Sequence, residues 1–226
     1  SKESAARLIA EGRVLVDGRV VHNPSSMVAA QATVRVRQSR NLRGTSKLRA
    51  ALHRFQIRAT GKTCLDVGAA AGGFTLALLE AGARRVYAVD TGFGQLIGEL
   101  RQDRRVVNLE RTNLRHLDRE LIPEPVELVT VDLSYVPLSE ALPQLGSVAL
   151  ADQAELIALV KPTFELRSGR LVVDPAAIET AASLAALGAA ASGWQVIDIA
   201  ESSVSGGRGA KELFLYGRRG REGSGP

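Results

Sequence analysis

Residues 64–74, CLDVGAAAGGF, constrain this chain more than any other stretch, because a short apolar run turns there through a glycine-rich loop into a helical pattern. Within 63–67 only Asp66 is charged, Gly68 opens the turn, and Gly72 and Gly73 let a following helix pack close to the strand. A second largely apolar run, 85–89, ends in Asp90, 22 residues after Gly68. A carboxylate at that distance from a strand-loop-helix turn is placed to accept the hydroxyls of an adenosine ribose.

What the loop lacks narrows the cofactor. A dinucleotide fingerprint carries glycine two positions after the first, where this chain has Ala70, and the phosphate loop of NTPases carries Gly-Lys-Ser/Thr, where it has Gly73, Phe74 and Thr75. Without a phosphate clamp, the expected ligand is an adenosine whose reactive group sits on a sulfonium, S-adenosylmethionine.

The 226 residues, 45% of them hydrophobic, suffice for one full α/β domain and a small extra module. The single cysteine, Cys64, leaves no disulfide framework and suits a reducing, cytoplasmic setting. With His22, His53 and His116 scattered, no metal-ligand spacing is present and no metal is expected. The longest apolar stretch, 176–191, is alanine-rich, carries Glu179 and is shorter than the roughly 20 residues of a membrane span, so no membrane partner is expected. No signal-peptide pattern opens the chain. Oligomeric state leaves no trace in the pattern.

Charge is divided unevenly. Residues 1–60 carry twelve Lys/Arg against three Asp/Glu, a local +9, whereas 61–226 sum to −4. A basic end joined to a near-neutral body is the electrostatic footprint of a nucleic-acid-binding face attached to an enzyme. Arg13, Arg19, Arg35, Arg37 and Arg43 are the expected RNA contacts.

Along the chain, 1–12 has helical spacing and stops at Gly12, and 13–22 alternates around Asp17 and Gly18 as a hairpin. Residues 34–37 read as a half-buried strand with arginines on the wet face. Residues 1–38 thus form a helix, hairpin and strand, 39–46 a linker, and 47–55 an amphipathic helix opening a body that runs to 220. In the body, strands are expected at 63–67, 85–89, 106–109, 128–131, 156–160, 196–199 and 213–216, and helices at 74–81, 95–101, 138–145 and 176–191. This alternation predicts a Rossmann-like, doubly wound, mostly parallel sheet of the class I methyltransferase kind with an antiparallel edge pair. Residues 221–226 read as a disordered tail.

Lys47, Asp132, Lys161 and Glu212 fall at predicted element ends, and the carboxyl ends of parallel strands line a single crevice. Their contexts, VDLSY, LVKPTFE and GAKELFLY, together with CLDVGAAAGGF, YAVDTGFGQL and LERTNLR, resemble the TlyA (haemolysin A-like) family of ribosomal RNA 2′-O-methyltransferases, related to the FtsJ type. GRVLVDGRVV resembles the αL-type RNA-binding module shared by a small-subunit ribosomal protein and several RNA-modifying enzymes. The resemblance implies that Lys47, Asp132, Lys161 and Glu212 are a catalytic tetrad. It also implies that Asp90 holds the cofactor ribose and Asn113 the adenine edge, with Asp66, Gly68, Ala70, Gly72, Gly73, Phe74, Thr91, Leu114 and Asp132 around the rest of the cofactor. Ribosomal RNA or a ribosomal subunit is the implied partner.

The chain departs from the family in residues 39–47, SRNLRGTSK, where an aromatic and a glycine are replaced, and in the segment 164–170 after Lys161. These departures sustain an alternative, an enzyme of the same fold acting on a small-molecule acceptor or in another sulfonium reaction. An RNA-binding protein with an inactive catalytic fold is a third reading. A membrane-active haemolysin would need an amphipathic or apolar membrane segment that this sequence lacks.

Overall fold

The structure is a computed structural model describing residues 2–10, 14–36 and 42–220, in two compact units, 1–41 and 42–226. Arg13, Arg37 and the tail 221–226 lie outside the described residues.

The first unit holds α1 (Lys2–Ala10) and a three-stranded antiparallel sheet, β1 (Val14–Val16), β2 (Arg19–Val21) and β3 (Val34–Val36), in the order β2-β1-β3. Asp17 and Gly18 have φ of 48° and 80°, the left-handed pair that a two-residue hairpin turn demands. Asp17 also pins β3: its N–H donates to Thr33 O at 3.0 Å, and its Oδ1 accepts from Thr33 N–H at 2.9 Å. The expectation of a half-buried β3 fails. Val34 and Val36 are 56% and 49% exposed, because β3 is an edge strand with only β1 as neighbour.

The second unit opens with α2 (Arg43–Arg54), which starts four residues before the expected boundary. Its first turn takes in residues 43–46 of the expected linker, because Thr45 N–H bonds to Leu42 O and the Thr45 hydroxyl donates to Gly73 O at 2.9 Å. Gly44 permits that seating, since a Cβ there would stand 3.3 Å from Gly73 Cα.

Beyond α2, a seven-stranded sheet comprises β4 (Thr63–Val67), β5 (Arg85–Val89), β6 (Val106–Leu109), β7 (Val126–Val131), β8 (Leu150–Val160), β9 (Trp194–Glu201) and β10 (Leu213–Arg219), in the order β6-β5-β4-β7-β8-β10-β9. Strands β4 to β8 pair in parallel, and β10 runs antiparallel between β8 and β9. The order reverses between β4 and β7, where doubly wound sheets open their ligand crevice. One core packs α5 (Leu138–Ala141) and α7 (Pro175–Ala191) on the sheet around Val129, Leu156 and Leu215. The other packs α2 and α3 (Gly73–Glu80) around Leu48, Leu78 and Ile157.

Differences from the expected boundaries have local causes. Helix α4 covers only Gly98–Gln102, because the N–H groups of Gln95 and Leu96 donate to Glu110 Oε1 instead of entering a helix. The helix expected over 138–145 becomes α5 followed by a 3₁₀ turn, Leu142–Leu145, where Pro143 has no N–H to continue the ladder. Strand β8 begins at Leu150 rather than 156, since its first residue pairs with Val126 ahead of a register shift.

Candidate active site

Asp132, Lys161 and Glu212 stand at element ends, whereas Lys47, expected at the start of a helix, is the fifth residue of α2, because that helix begins at Arg43. Asp132 follows β7 and its N–H donates to Val67 O at 2.9 Å, which seats it beside the turn at Gly68. Gly68 has φ of 82°, and a Cβ there would overlap the Asp132 carbonyl, so only glycine allows the two strand ends to touch. Lys161 ends β8 in extended backbone (φ −112°, ψ 104°), as the following Pro162 requires, and that proline opens α6 (Pro162–Glu165). Because β10 runs backwards and Leu213 pairs with Val160, Glu212 arrives alongside Lys161 at the same end of the sheet.

The four side chains form two ion pairs. Lys161 Nζ lies 2.5 Å from Asp132 Oδ1, outside hydrogen-bond geometry, and donates to the Ser134 hydroxyl at 2.6 Å. Asp132 Oδ1 is buried, and its close contact is the Lys161 ammonium. Lys47, from α2, donates to Glu212, and both side chains are 7% exposed.

A cleft of about 300 Å³ opens at Asp132, lined also by Gly68, Ala70, Asp90, Thr91 and Leu114 among others; Lys47, Lys161 and Glu212 are not in its lining. That volume is at the lower end of small-molecule sites, roughly 300–1,000 Å³. Asp90 joins its two walls: Oδ2 accepts from Ala70 N–H at 2.8 Å and Oδ1 from Gly92 N–H at 2.7 Å. A smaller recess of about 180 Å³ continues past Gly68, Ala70 and Asp132 to Gly73, Phe74 and the exposed Arg43. Glu110 braces the loop after Asp90. Burial pushes its carboxyl up, but the N–H groups of Leu96, Gly94 and Gln95 and the Asn108 amide outweigh that and hold it at about 2.

Three expected residues stand elsewhere. Asp66 is fully buried within β4, where the hydroxyls of Thr75 and Thr130 donate to it at 2.6 and 3.0 Å; burial pushes its carboxyl up to about 6 despite those bonds. It locks α3 and β7 to β4 instead of facing the cleft. The Asn113 side chain accepts from Arg115 N–H at 3.1 Å and caps the 3₁₀ turn Leu114–His116, while its neighbours Thr112 and Leu114 line the cleft. Gly72 is buried and lines neither space. Arg19 and Arg35 are exposed on the sheet of the first unit.

Sequence reasoning missed Ser134, Tyr135, Gln95 and Thr112, all of which line the cleft. The first two directly follow Asp132 in VDLSY, and that adjacency was the available signal. Glu165 was also missed. It is buried on α6, and its Oε1 accepts from Leu138 N–H at 3.0 Å, tying the segment after Lys161 to the segment after Asp132. Burial, partly offset by that N–H, pushes its carboxyl up to about 7. Among the described residues no three His, Cys, Asp or Glu side chains gather as metal ligands, and no helix is long and apolar enough to cross a membrane.

A doubly wound sheet with one reversed strand, and a cleft at the end of the strand holding the glycine turn, define an α/β methyltransferase. The FtsJ-like methyltransferase family matches residues 41–219 and the S4 domain family residues 1–34, and the chain belongs to the FtsJ-like methyltransferases. It is 40% identical over 225 residues to the 16S/23S rRNA (cytidine-2′-O)-methyltransferase TlyA of Mycobacterium tuberculosis, covering 96% of this chain and 84% of that protein. Hemolysin A of Brachyspira hyodysenteriae is 34% identical over 172 residues, 75% of this chain and 71% of that one. Among solved structures, a protein named as a hemolysin from Streptococcus thermophilus superposes with a TM-score of 0.75 at 30% identity, covering 97% of this chain and 83% of its own.

Proposed function

We propose that this enzyme methylates the 2′-hydroxyl of a ribose in ribosomal RNA, with a cytidine as the target, using S-adenosylmethionine. The observation that carries the reading is the pairing of Lys161 with Asp132, which lines the cleft, together with the buried pair of Lys47 with Glu212. S-adenosylmethionine, when bound, supplies a methyl group on a sulfonium whose sulfur keeps the electron pair on release.

The residues present fit that cofactor: the cleft is lined by the Asp90 carboxylate, whose oxygens are held by Ala70 and Gly92 N–H groups, by Gly68 and Ala70 of the glycine turn, and by Asp132. Asp90 would hold the ribose hydroxyls, the backbone at Gly68 and Ala70 the methionine part, and Thr112 and Leu114 the adenine. The remaining chemistry belongs to the acceptor. A ribose hydroxyl is a weak nucleophile, and its proton must leave as its oxygen bonds to the methyl carbon. Lys161, oriented by Asp132 and Ser134, takes that proton or stabilises the oxygen from which it departs. Glu212 holds Lys47 against the site's other side.

We take residues 1–38 as the RNA-binding module, with Arg19 and Arg35 on phosphates and Arg43 at the mouth of the recess, and the cytoplasm as the place where RNA and cofactor meet. The test is transfer of labelled methyl from S-adenosylmethionine to ribosomal subunits, with digestion to nucleosides. Label in a 2′-O-methylated nucleoside supports the reading. Label only in a small metabolite establishes the small-molecule alternative, and RNA binding without turnover the inactive one.

A further inference from the structure

Of the nine aromatic residues only Phe93 and Tyr135 are exposed, at 65% and 56%, and both border the cofactor cleft. Tyr135 lines the cleft; Phe93 does not, although Thr91 and Gln95 on either side of it do. The Arg111 guanidinium lies over the Phe93 ring, 3.9 Å from its centroid.

Backbone geometry builds this pair. Arg111 has φ of 56°, an unfavourable conformation for a side-chain-bearing residue, and its N–H donates to Gly92 O at 2.9 Å, joining the loop after β5 to the loop after β6. Among the described residues no carboxylate pairs with Arg111, and Arg115, four positions on, is likewise exposed without an acidic partner. An exposed phenyl ring gains from the fold only the contact with Arg111, and a ring backed on one side by a guanidinium that pairs with no carboxylate suits a nucleobase with its phosphate.

We infer that Phe93 and Arg111 form a stacking platform for an unpaired base of the acceptor RNA, with Arg115 meeting the adjoining phosphate. This rests on the RNA reading above and adds a contact in the catalytic body, separate from the S4 unit. The base stacks on the phenyl face that Arg111 leaves open, while the cofactor occupies its own cleft.

The test is steady-state methyl transfer to ribosomal subunits together with calorimetry of cofactor binding, using the full chain. Phe93→Ala is expected to raise KM for the subunits about 5- to 150-fold, the span measured for loss of one base-aromatic stack, with cofactor affinity and Tm unchanged. Phe93→Leu, apolar but without a flat face, should fail similarly, and Phe93→Trp should restore binding. The platform is overturned if the wild type methylates RNA and the alanine or leucine variant matches its KM, or if cofactor affinity falls in parallel, which would make Phe93 an adenine contact. If the wild type itself methylates no RNA, the parent reading falls and the platform with it.

Discussion

Lys47 and Glu212 are 165 residues apart in the chain and meet in a buried ion pair, each side chain 7% exposed, that clamps the first helix of the catalytic body to the reversed strand β10. Removing one partner leaves a charge in a site with little water. Glu212→Ala should cost about 3–5 kcal/mol of stability, and the double variant Lys47→Met/Glu212→Leu markedly less, because the desolvation of both charges is relieved together. Urea denaturation of the three proteins checks this; a double variant as unstable as the single one would contradict it.

Lys161 separates chemistry from binding. Lys161→Ala should lower single-turnover methyl transfer by about 10²- to 10⁴-fold, the range for a positioned acid or base, while cofactor affinity stays near wild type. Lys161→Arg should be almost as slow if the amine takes the proton, since a guanidinium keeps its charge near neutral pH. An arginine variant with full activity would restrict Lys161 to electrostatic support, and a fully active alanine variant would remove it from the mechanism.

At Asp90 both carboxylate oxygens already bind backbone N–H groups, so the side chain is set before the cofactor arrives. Asp90→Ala should weaken S-adenosylmethionine by about 1.5 to 3 kcal/mol, the scale of hydrogen bonds to a charged group. Calorimetry reads this directly, and unchanged affinity would end the ribose assignment.

Glu165 makes stability depend on pH. Its folded value, about 7, lies above the ordinary 4.5, so the native state holds a proton that the unfolded chain releases. The contribution is full below about pH 4.5 and is lost as pH rises through 7, with a slope of at most about 1.4 kcal/mol per pH unit. Glu165→Gln keeps an acceptor for Leu138 N–H and removes the titration. Its stability relative to wild type should therefore improve between pH 5 and pH 8, measured by urea midpoints; a constant difference would show that Glu165 does not titrate in that window. Asp66, raised to about 6, acts with the same sign but is present in both proteins and cancels.

The strands were legible because their signals are local. CLDVGAAAGGF, the turn at Asp17 and Gly18, and the alternation of apolar runs each state their geometry within a few residues, and the structure has strands at 63–67, 85–89 and 106–109 as read. The element ends carrying Asp132 and Lys161 were legible for the same reason, since Pro162 stops β8 and the parallel order sends both ends to one crevice. Boundaries set by distant partners were not. Helix α4 begins late because Glu110 takes N–H groups of Gln95 and Leu96, and α2 begins early because Thr45 reaches Gly73.

The sequence by itself determined which residue types stand at the strand ends and that a glycine turn precedes an acid by 22 positions. Only the tertiary structure decided the pairing. Lys47 meets Glu212 because β10 inserts between β8 and β9 in reverse, bringing its first residues to the end of the sheet where α2 packs. Likewise, only packing made Asp66 a buried lock between β4, α3 and β7 rather than a ligand of the cleft, since a carboxylate's surroundings, not its position in a motif, set which hydrogen bonds it makes.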